Sequence, residues 1–308
     1  MSPCGDGREI KMRKVKILTD SCADLNREQL EKYGIDYVRM TTIYNGVETP
    51  AELTWTAEEA HALYNIMRDG KRIMTAQVSV DEFTHVFKKY LDMDMDIVYI
   101  GCSSKQSGSV NTGFVVAKKL MEEYEGSTVL SIDSLNASIG IGMLVMEAAK
   151  MAESGASASD IAERIISIRK RVNEYVTVHS LDALRRAGRV KGAAAFFGNL
   201  MGVKPIIISD KNGTQAAYKK VKGRQRSFDE IVALLKSTIV DPEGQTVYVS
   251  HADCSEEEIS ALVETVKREI PCKAVEVGFI GPIVGASVGP DAIGVFAFGE
   301  EVTFNIGD

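Results

Sequence analysis

The stretch Gly101-Cys102-Ser103-Ser104-Lys105-Gln106-Ser107-Gly108-Ser109 joins an apolar run, residues 97–100, to a helical pattern over residues 110–123. A buried strand, a hydroxyl-rich turn and a helix start in this order predict a βα unit. The first amides of a helix lack intrahelical partners and carry the positive end of the helix dipole, so the turn could bind a carboxylate or a phosphate. Ser104, Ser107 and Ser109 would add hydroxyl donors. Taken alone, the same serines are equally typical of plain helix capping.

The alternation of strands and helices continues on both sides of this unit. Residues 15–18 and 128–132 have the composition of buried strands, and residues 37–44 lead into the turn dipeptide Asn45-Gly46. The pattern predicts a mainly parallel sheet with helices on its faces, in which ligands lie beyond the carboxyl ends of the strands. The predicted helices are residues 24–31 with Asp24 as N-cap, 56–67, 79–91, 110–123, 136–154 and 157–172.

The second half of the chain has a different arrangement of predicted strands and helices. Its strands are separated less regularly by helices, and Asn212-Gly213 predicts a hairpin, so we expect an α+β domain with antiparallel pairs. The boundary is placed near residues 171–173, which gives domains of residues 14–171 and 172–308. The predicted strands are residues 175–179, 205–209, 214–220, 246–250, 274–277 and 293–298, and the predicted helices are 181–186, 193–201, 228–237 and 256–269.

Composition excludes several classes of protein. The 308 residues include 36 Lys+Arg and 43 Asp+Glu, a net charge of −7, which argues against a general nucleic-acid-binding surface. No run approaches the roughly 20 apolar residues of a membrane span, and residues 1–12 lack the apolar core of a secretory signal, so we expect a cytoplasmic protein. The scattered cysteines predict neither a disulfide framework nor a metal site. They are Cys4, Cys22, Cys102, Cys254 and Cys272.

Five short segments, in order, resemble the signatures of the DegV family. They are Leu18-Thr19-Asp20-Ser21-Cys22-Ala23-Asp24-Leu25, Thr75-Ala76-Gln77-Val78-Ser79, Ser103-Ser104-Lys105-Gln106-Ser107-Gly108, Asp133-Ser134 and Gly188-Arg189-Val190. Their order and spacing fit the family from about residue 15 to residue 298, so the resemblance covers nearly the whole chain. Several ordered motifs are far more specific together than any one of them.

The resemblance implies a Rossmann-like α/β domain followed by an α+β domain, with one long-chain fatty acid, such as palmitate, in a tunnel between them. No cofactor and no catalytic residue is implied. Several members of the family are the fatty-acid-binding subunit of bacterial fatty acid kinase and present the acyl carboxylate to a separate kinase. Transient contact with a membrane surface is a further expectation. Each buried CH₂ contributes about 0.8 kcal/mol, so the acyl chain needs few polar contacts, whereas the buried carboxylate needs converging donors.

The resemblance also implies the residues that hold the carboxylate. The family's binding threonine and serine correspond to Thr75 and Ser107, with Ser104 as a neighbour and the Gly108 amide assisting. Where the family usually has a histidine in a Gly-Thr-His-x-Gly-Pro-Gly segment, this chain has Ser287, which can donate one hydrogen bond but carries no charge. Ala76 and Val78 also replace the family's usual serine and proline in the segment that carries Thr75.

Two basic positions are candidates for contact with a kinase. Arg189 matches the family's Gly-Arg motif, and Lys222 stands where a second arginine is usual. A solvated helix end with cations near its carbonyl pole is the competing interpretation. Residues 141–146 and 194–200 are predicted to line the tunnel, although plain core is the stronger explanation for each residue taken singly.

Two other functions stay open. A serine hydrolase would use Ser104 or Ser107 as nucleophile, but the segment beginning at Gly101 lacks the second glycine of a nucleophile elbow. A divergent paralogue that binds another amphipathic lipid or carboxylate would explain Ser287. Asp20 and Asp24 are interpreted as residues that order the first βα turn and cap its helix.

Overall fold

The structure is a computed structural model that describes residues 13–179, 182–192 and 202–307. Three sheets organise these ranges: a four-stranded sheet, a three-stranded sheet and a seven-stranded sheet. Within the same ranges, no helix is long and apolar enough to cross a bilayer.

The strands and helices follow one another along the chain with short connections. The strands are β1 (Lys14–Asp20), β2 (Asp36–Val38), β3 (Thr41–Tyr44), β4 (Val47–Pro50), β5 (Met74–Ala76), β6 (Met95–Gly101), β7 (Val129–Asp133), β8 (Val172–Thr177), β9 (Val190–Lys191), β10 (Val203–Ser209), β11 (Gln215–Lys222), β12 (Thr246–His251), β13 (Ala274–Phe279) and β14 (Ile293–Phe298). The helices are α1 (Arg27–Lys32), α2 (Ala57–Arg68), α3 (Val80–Leu91), α4 (Ser109–Glu123), α5 (Ile139–Glu153), α6 (Ala158–Ile168), α7 (Asp182–Ala187), α8 (Arg224–Thr238), α9 (Glu256–Glu269) and α10 (Pro282–Val288).

The four-stranded sheet is entirely parallel, with the strand order β2-β1-β6-β7. Residues 97–100 of β6 are fully buried. A continuous apolar strand of this kind is typical of a parallel sheet covered on both faces. The carboxyl end of β6 leads directly into the serine-rich turn and α4, so the predicted βα unit is confirmed.

A small antiparallel sheet, β4-β3-β5, lies outside this parallel arrangement. The turn between β3 and β4 is formed by Asn45 and Gly46, with φ angles of 51° and 77°, as expected for a hairpin. All four residues of β4 are exposed. A strand without a buried face needs no alternation of apolar and polar residues, so the sequence carries no pattern that predicts it. On the other side of β3, Thr42 pairs with Thr75 of β5.

The seven-stranded sheet has the order β13-β12-β14-β8-β10-β11-β9. Its centre is antiparallel, while β12 pairs with β13 and β11 pairs with β9 in parallel. The predicted fold class, a parallel α/β half followed by an α+β half, is confirmed. The division into domains of residues 14–171 and 172–308 stays a prediction, although the seven-stranded sheet begins at Val172.

Two details of the predicted helices differ from the structure, and one predicted helix is not tested by it. The N-cap of α1 is Asn26, in a reciprocal capping box with Gln29, rather than Asp24. Asp24 has a φ of 47° and uses its carboxylate elsewhere. α6 ends at Ile168, and one 3₁₀ turn, Arg169–Arg171, leads into β8. The predicted helix at residues 193–201 lies outside the described residues.

Candidate functional site

A cavity of about 180 Å³ lies between the carboxyl ends of the parallel strands, the face of the seven-stranded sheet and α10. Hydrophobic side chains form much of its wall, and polar side chains are contributed by several separate segments. Its lining consists of Cys22, Met40, Thr75, Gln77, Cys102, Gln106, Ser107, Gly108, Ala137, Ser138, Glu174, Val176, Arg189, Val190, Ile207, Gln215, Ile280, Ile283, Val284, Ser287, Val288 and Phe296.

Five of the residues singled out in the sequence line this one cavity. They are Thr75 on β5, Ser107 and Gly108 before α4, Arg189 before β9 and Ser287 on α10. These residues span more than 200 positions of the chain, so only the tertiary structure brings them together. Their roles as ligand contacts stay predictions.

Ser107 is held by its neighbour Ser109. The backbone N–H of Ser109 donates to Ser107 Oγ at 3.2 Å, and the two hydroxyl oxygens are 2.9 Å apart. Ser109 Oγ in turn accepts a hydrogen bond from the backbone N–H of Val78 at 3.1 Å. If Ser109 donates its hydroxyl hydrogen to Ser107 Oγ, both acceptor sites of Ser107 are occupied and its own hydrogen is free to donate into the cavity.

The segment that carries Thr75 is tied to the same helix start. Gln77 Nε2 donates to Thr112 Oγ1 at 2.9 Å, and Thr112 Oγ1 donates to the carbonyl oxygen of Gly108 at 3.3 Å. Thr75 itself is half-buried, and among the described residues its hydroxyl has no hydrogen-bond partner. These hydrogen bonds connect the segment that carries Thr75 to the turn that carries Ser107 and Gly108. We call these two segments together the polar rim of the cavity.

α10 provides another part of the wall and was not predicted. Its seven residues begin with a proline at the first helical position, which is favourable there because that N–H needs no partner. Ile283, Val284 and Val288 present apolar surface to the cavity, and Ser287 lies among them. Ser287 is half-buried, and within the described part of the chain its hydroxyl makes no hydrogen bond.

Two predicted residues lie away from the cavity lining. Ser104 is exposed, and its backbone N–H donates to Asp133 Oδ1 at 3.2 Å, which fixes the turn rather than the cavity wall. Lys222 is exposed at the end of β11, paired with Val203. At about 3.3 Å per strand residue, Lys222 is roughly 20 Å along β11 from the cavity residue Gln215.

Arg189 is exposed at the edge of the cavity, where its Nη1 donates to the carbonyl oxygen of Ala187 at 2.6 Å. The edge is shared with a neighbouring depression of about 150 Å³, which is also lined by Lys71, Arg72 and Arg186. These cations give this side of the cavity a positive potential within an acidic protein.

The wall formed by the seven-stranded sheet contains two buried polar side chains that the sequence analysis missed. Glu174 and Gln215 are 4% and 8% exposed, and both line the cavity. Gln215 Nε2 donates to Glu174 Oε1 and, at 2.8 Å, to Ser209 Oγ. Burial raises the pKa of Glu174, because removal from water disfavours the charged carboxylate. Alternation along β8 could have indicated that Glu174 shares a face with Val176, but not that this face meets a cavity.

The tunnel lining predicted from residues 141–146 is wrong. All six residues are buried in the protein core. In this part of the chain the cavity is lined instead by Ala137 and Ser138, just before α5. α5 instead packs against β1. The other predicted lining segment, residues 194–200, lies outside the described residues.

Asp20 orders the first βα turn beneath the cavity, as predicted. Its Oδ1 accepts from the backbone N–H of Cys22 at 3.0 Å, and its Oδ2 accepts from Tyr99 Oη at 2.8 Å and from the backbone N–H of Cys102 at 2.9 Å. Burial raises its pKa, although these hydrogen bonds act in the opposite direction. Across the described ranges, no three His, Cys, Asp or Glu side chains cluster as metal ligands would.

Comparison with known proteins gives a consistent family. A model described as "Uncharacterised protein, DegV family" matches residues 14–300. The DegV domain-containing protein CPE0026 of Clostridium perfringens is 31% identical over 293 residues, which cover 94% of this chain and 99% of that protein.

Solved structures agree with this match. A DegV lipid binding protein from Thermotoga maritima superposes with a TM-score of 0.80 at 28% identity, covering 94% of this chain and 99% of that one. A second protein of the same organism, TM841, whose structure is described as revealing a fatty acid binding function, has a TM-score of 0.80 at 26% identity and covers 94% of this chain and 100% of its own.

Proposed function

Because this chain belongs to the DegV family, we propose that it binds one long-chain fatty acid in the cavity and holds the carboxylate at Thr75 and Ser107. One observation carries this proposal. The predicted head-group residues come from separate segments and meet on a single cavity whose wall is otherwise largely apolar. The preferred acyl chain, for which palmitate is our prediction, depends on the shape of that cavity.

The apolar wall supplies the affinity. Val176, Ile207 and Phe296 of the seven-stranded sheet face Ile283 and the other apolar residues of α10 across the cavity. At about 0.8 kcal/mol for each CH₂ removed from water, a long acyl chain gains of order 10 kcal/mol, from which the costs of association are subtracted.

The polar rim then offsets the cost of burying the carboxylate. Ser107 has a hydroxyl hydrogen available when Ser109 is the donor in the bond between them. Thr75 and Ser287 have hydroxyls without a partner among the described residues, and the Gly108 amide precedes a 15-residue helix. Hydrogen bonds to a charged acceptor are roughly twice as strong as neutral ones. Arg189 at the edge adds a favourable long-range charge while staying in water.

The same geometry favours a carrier over a serine hydrolase. A nucleophilic serine needs a general base within hydrogen-bond reach, oriented in turn by a third group. In the described structure the hydrogen-bond partner of Ser107 is another serine, Ser109, which cannot serve as that base.

We also propose that the protein presents the carboxylate to a separate fatty acid kinase. Arg189 is exposed beside the head-group residues, where an incoming kinase would meet it. Lys222 would contact the kinase farther along the surface. A cytoplasmic location and transient contact with a membrane surface belong to the same proposal.

The first test identifies the ligand directly. Mass spectrometry of the purified protein under native conditions, followed by organic extraction, should reveal a stoichiometric long-chain fatty acid. A different extracted lipid would favour the divergent-paralogue alternative instead.

Ser107→Ala tests the head-group site. Loss of one hydrogen bond to a carboxylate costs about 1.5–3 kcal/mol, so we expect fatty acid affinity to fall by about 10- to 100-fold. Ser104→Ala is the matched control, because Ser104 lies in the same turn outside the cavity, and it should leave the affinity unchanged. Equal affinities of the two variants, measured by fluorescent fatty acid displacement, would place the carboxylate elsewhere.

Arg189→Ala tests the partner role. We expect acyl-phosphate formation by an added kinase to be lost, while the fatty acid affinity falls by no more than about a few-fold, because water screens the exposed Arg189 charge. Undiminished acyl-phosphate formation would remove Arg189 from the kinase contact.

A further inference from the structure

The cavity contains a polar pair on the wall formed by the seven-stranded sheet. Glu174 on β8 and Gln215 on β11 are both more than nine-tenths buried, and both line the space that the acyl chain would occupy. Their neighbours on this wall are the apolar side chains of Val176, Ile207 and Phe296. An ordinary alkyl chain gives no reason for a carboxyl and an amide at these positions.

The hydrogen bonds of the pair leave one group without a partner. Both hydrogens of Gln215 Nε2 are used, one by Glu174 Oε1 and one by Ser209 Oγ. Gln215 Oε1 accepts no hydrogen bond from the described residues. Gln215 lines the cavity, and an amide oxygen has two acceptor sites, so a donor inside the cavity would pair with this oxygen once the acyl chain excludes water from it.

A plain methylene chain would cover this acceptor without satisfying it. Sites that contain a buried polar group discriminate strongly against ligands that lack the matching group, because the polar group of the protein is then left without a hydrogen bond. A hydroxyl on the chain would donate to Gln215 Oε1, and its oxygen would face the Glu174 carboxyl, whose burial favours the neutral form.

The position of the pair indicates where on the ligand this hydroxyl lies. The carbonyl oxygen of Gly213 is 3.4 Å from Nε2 of Gln106, the residue next to Ser107. Gln215 is two residues beyond Gly213, a rise of roughly 7 Å in extended chain, and it pairs with Val190, the neighbour of Arg189. The hydroxyl therefore belongs on a carbon beyond those next to the carboxylate.

We propose that Glu174 and Gln215 form a hydroxyl-binding subsite, and that the preferred ligand is a long-chain fatty acid with a hydroxyl group distant from its carboxylate. The proposal rests on the fatty acid function proposed above. The proposed function explains how the carboxylate is held, and the subsite specifies the chemical class of the acyl chain.

The test compares fatty acids of one length on the wild-type protein after removal of any bound lipid. Stearate is measured against hydroxystearates that carry the hydroxyl beside the carboxylate, at mid-chain or on the last carbon, by displacement of a fluorescent fatty acid. We expect the mid-chain hydroxystearate to bind at least about tenfold more tightly than stearate, and the acids with a hydroxyl beside the carboxylate or on the last carbon to show no such gain. If the mid-chain hydroxystearate does not exceed stearate, the subsite proposal is overturned.

The double variant Glu174→Leu/Gln215→Leu assigns the gain to the pair. Replacing both partners by apolar residues of similar shape is often nearly neutral for folding, and thermal melting checks this. We expect the variant to bind stearate at least as tightly as the wild type and to lose the tenfold preference for the hydroxylated acid. A preference that persists in the folded variant would place the hydroxyl away from Glu174 and Gln215.

Ser107→Ala separates the two proposals. It should weaken stearate and the mid-chain hydroxystearate by the same factor, so their affinity ratio is unchanged. Absence of binding of every fatty acid by the wild type would refute the proposed function together with the subsite, whereas binding of stearate without any gain for the mid-chain hydroxystearate refutes the subsite alone.

Discussion

Asp24 lies between the two halves of the chain, where both of its carboxylate oxygens accept hydrogen bonds. Its Oδ2 accepts from Ser138 Oγ at 2.5 Å, and its Oδ1 accepts from the backbone N–H of Gly281 at 2.9 Å. The sequence suggested helix capping because aspartate is common at N-caps. The actual partner, Gly281, is 257 residues away, and no local pattern reveals such a contact.

Burial raises the pKa of Asp24 from 3.8 to about 7, since desolvation outweighs the hydrogen bonds that favour the carboxylate. Between these values the folded state binds a proton that the unfolded state has lost. The associated stability is present below about pH 4 and is lost as the pH rises to 7, a change of about 4 kcal/mol for three pKa units.

Asp24→Asn removes this titration. We expect the variant to gain stability relative to the wild type by a few kcal/mol as the pH rises from 4 to 8, as measured by denaturant unfolding at both values. Burial also raises the pKa values of Asp20 and Glu174, so the wild type loses stability with rising pH at these residues as well. The informative quantity is therefore the difference in unfolding free energy between the variant and the wild type at each pH. A difference that is the same at both pH values would contradict the assignment.

The two hairpin turns use glycine for different reasons. Gly46 and Gly213 have φ angles of 77° and 80°, and both turns were predicted from an Asn-Gly dipeptide. A Cβ on Gly46 would meet nothing within 4 Å, whereas one on Gly213 would lie 2.8 Å from the backbone of Leu135. The β10–β11 turn packs against the first half of the chain, where Ser103 Oγ donates to the carbonyl oxygen of Gly213 at 2.7 Å.

Gly213→Ala should therefore destabilise the protein more than Gly46→Ala. The left-handed conformation alone costs about 1–2 kcal/mol, which is the whole effect expected at Gly46. At Gly213 the contact with Leu135 adds to it, and we expect a total loss of at least about 3 kcal/mol. Equal free energies of unfolding for the two variants would show that the turn moves away at little cost.

The elements that were predicted correctly have strong local signals. The buried strand β6 and the capped helices α2 and α3 carry apolar runs or capping residues that need no distant partner. β4 and α10 lack such signals, because one is fully exposed and the other is short and depends on packing beside α2 and α7. Similarly, Thr75 and Ser107 could be found from motifs, whereas Glu174 and Gln215 become visible only when the sheet meets the cavity.

Arg68 joins the two halves of the chain at the surface. Its Nη1 is 2.6 Å from Asp253 Oδ2, and its Nη2 donates to the carbonyl oxygen of Asp253 at 2.7 Å and to Asp291 Oδ1 at 2.6 Å. Arg68 ends α2, whereas Asp253 follows β12 and Asp291 lies in the turn between α10 and β14. Its planar guanidinium matches this fork of acceptors, which a lysine could not reproduce.

We expect Arg68→Ala to lower the free energy of unfolding by about 2 kcal/mol, because it leaves partly buried acceptors and two carboxylates without their cation. Arg268→Ala is the control, since the Arg268 side chain is 62% exposed and, among the residues that the structure describes, pairs only with its neighbour Glu269, itself 38% exposed. The control should change stability by less than about 0.5 kcal/mol. Urea unfolding of both variants measures the difference.

The position of Thr75 on β5 has a consequence for how the head-group site can evolve. Ser107 is anchored to the core through Ser109, but Thr75 belongs to a small sheet whose other edge, β4, is exposed throughout. Substitutions in an exposed strand are mostly tolerated, so they accumulate readily during divergence. Drift in β4 can therefore move one of the two proposed head-group contacts while the core and the other proposed contact stay in place, which gives descendants of this protein a gradual path to new head-group preferences.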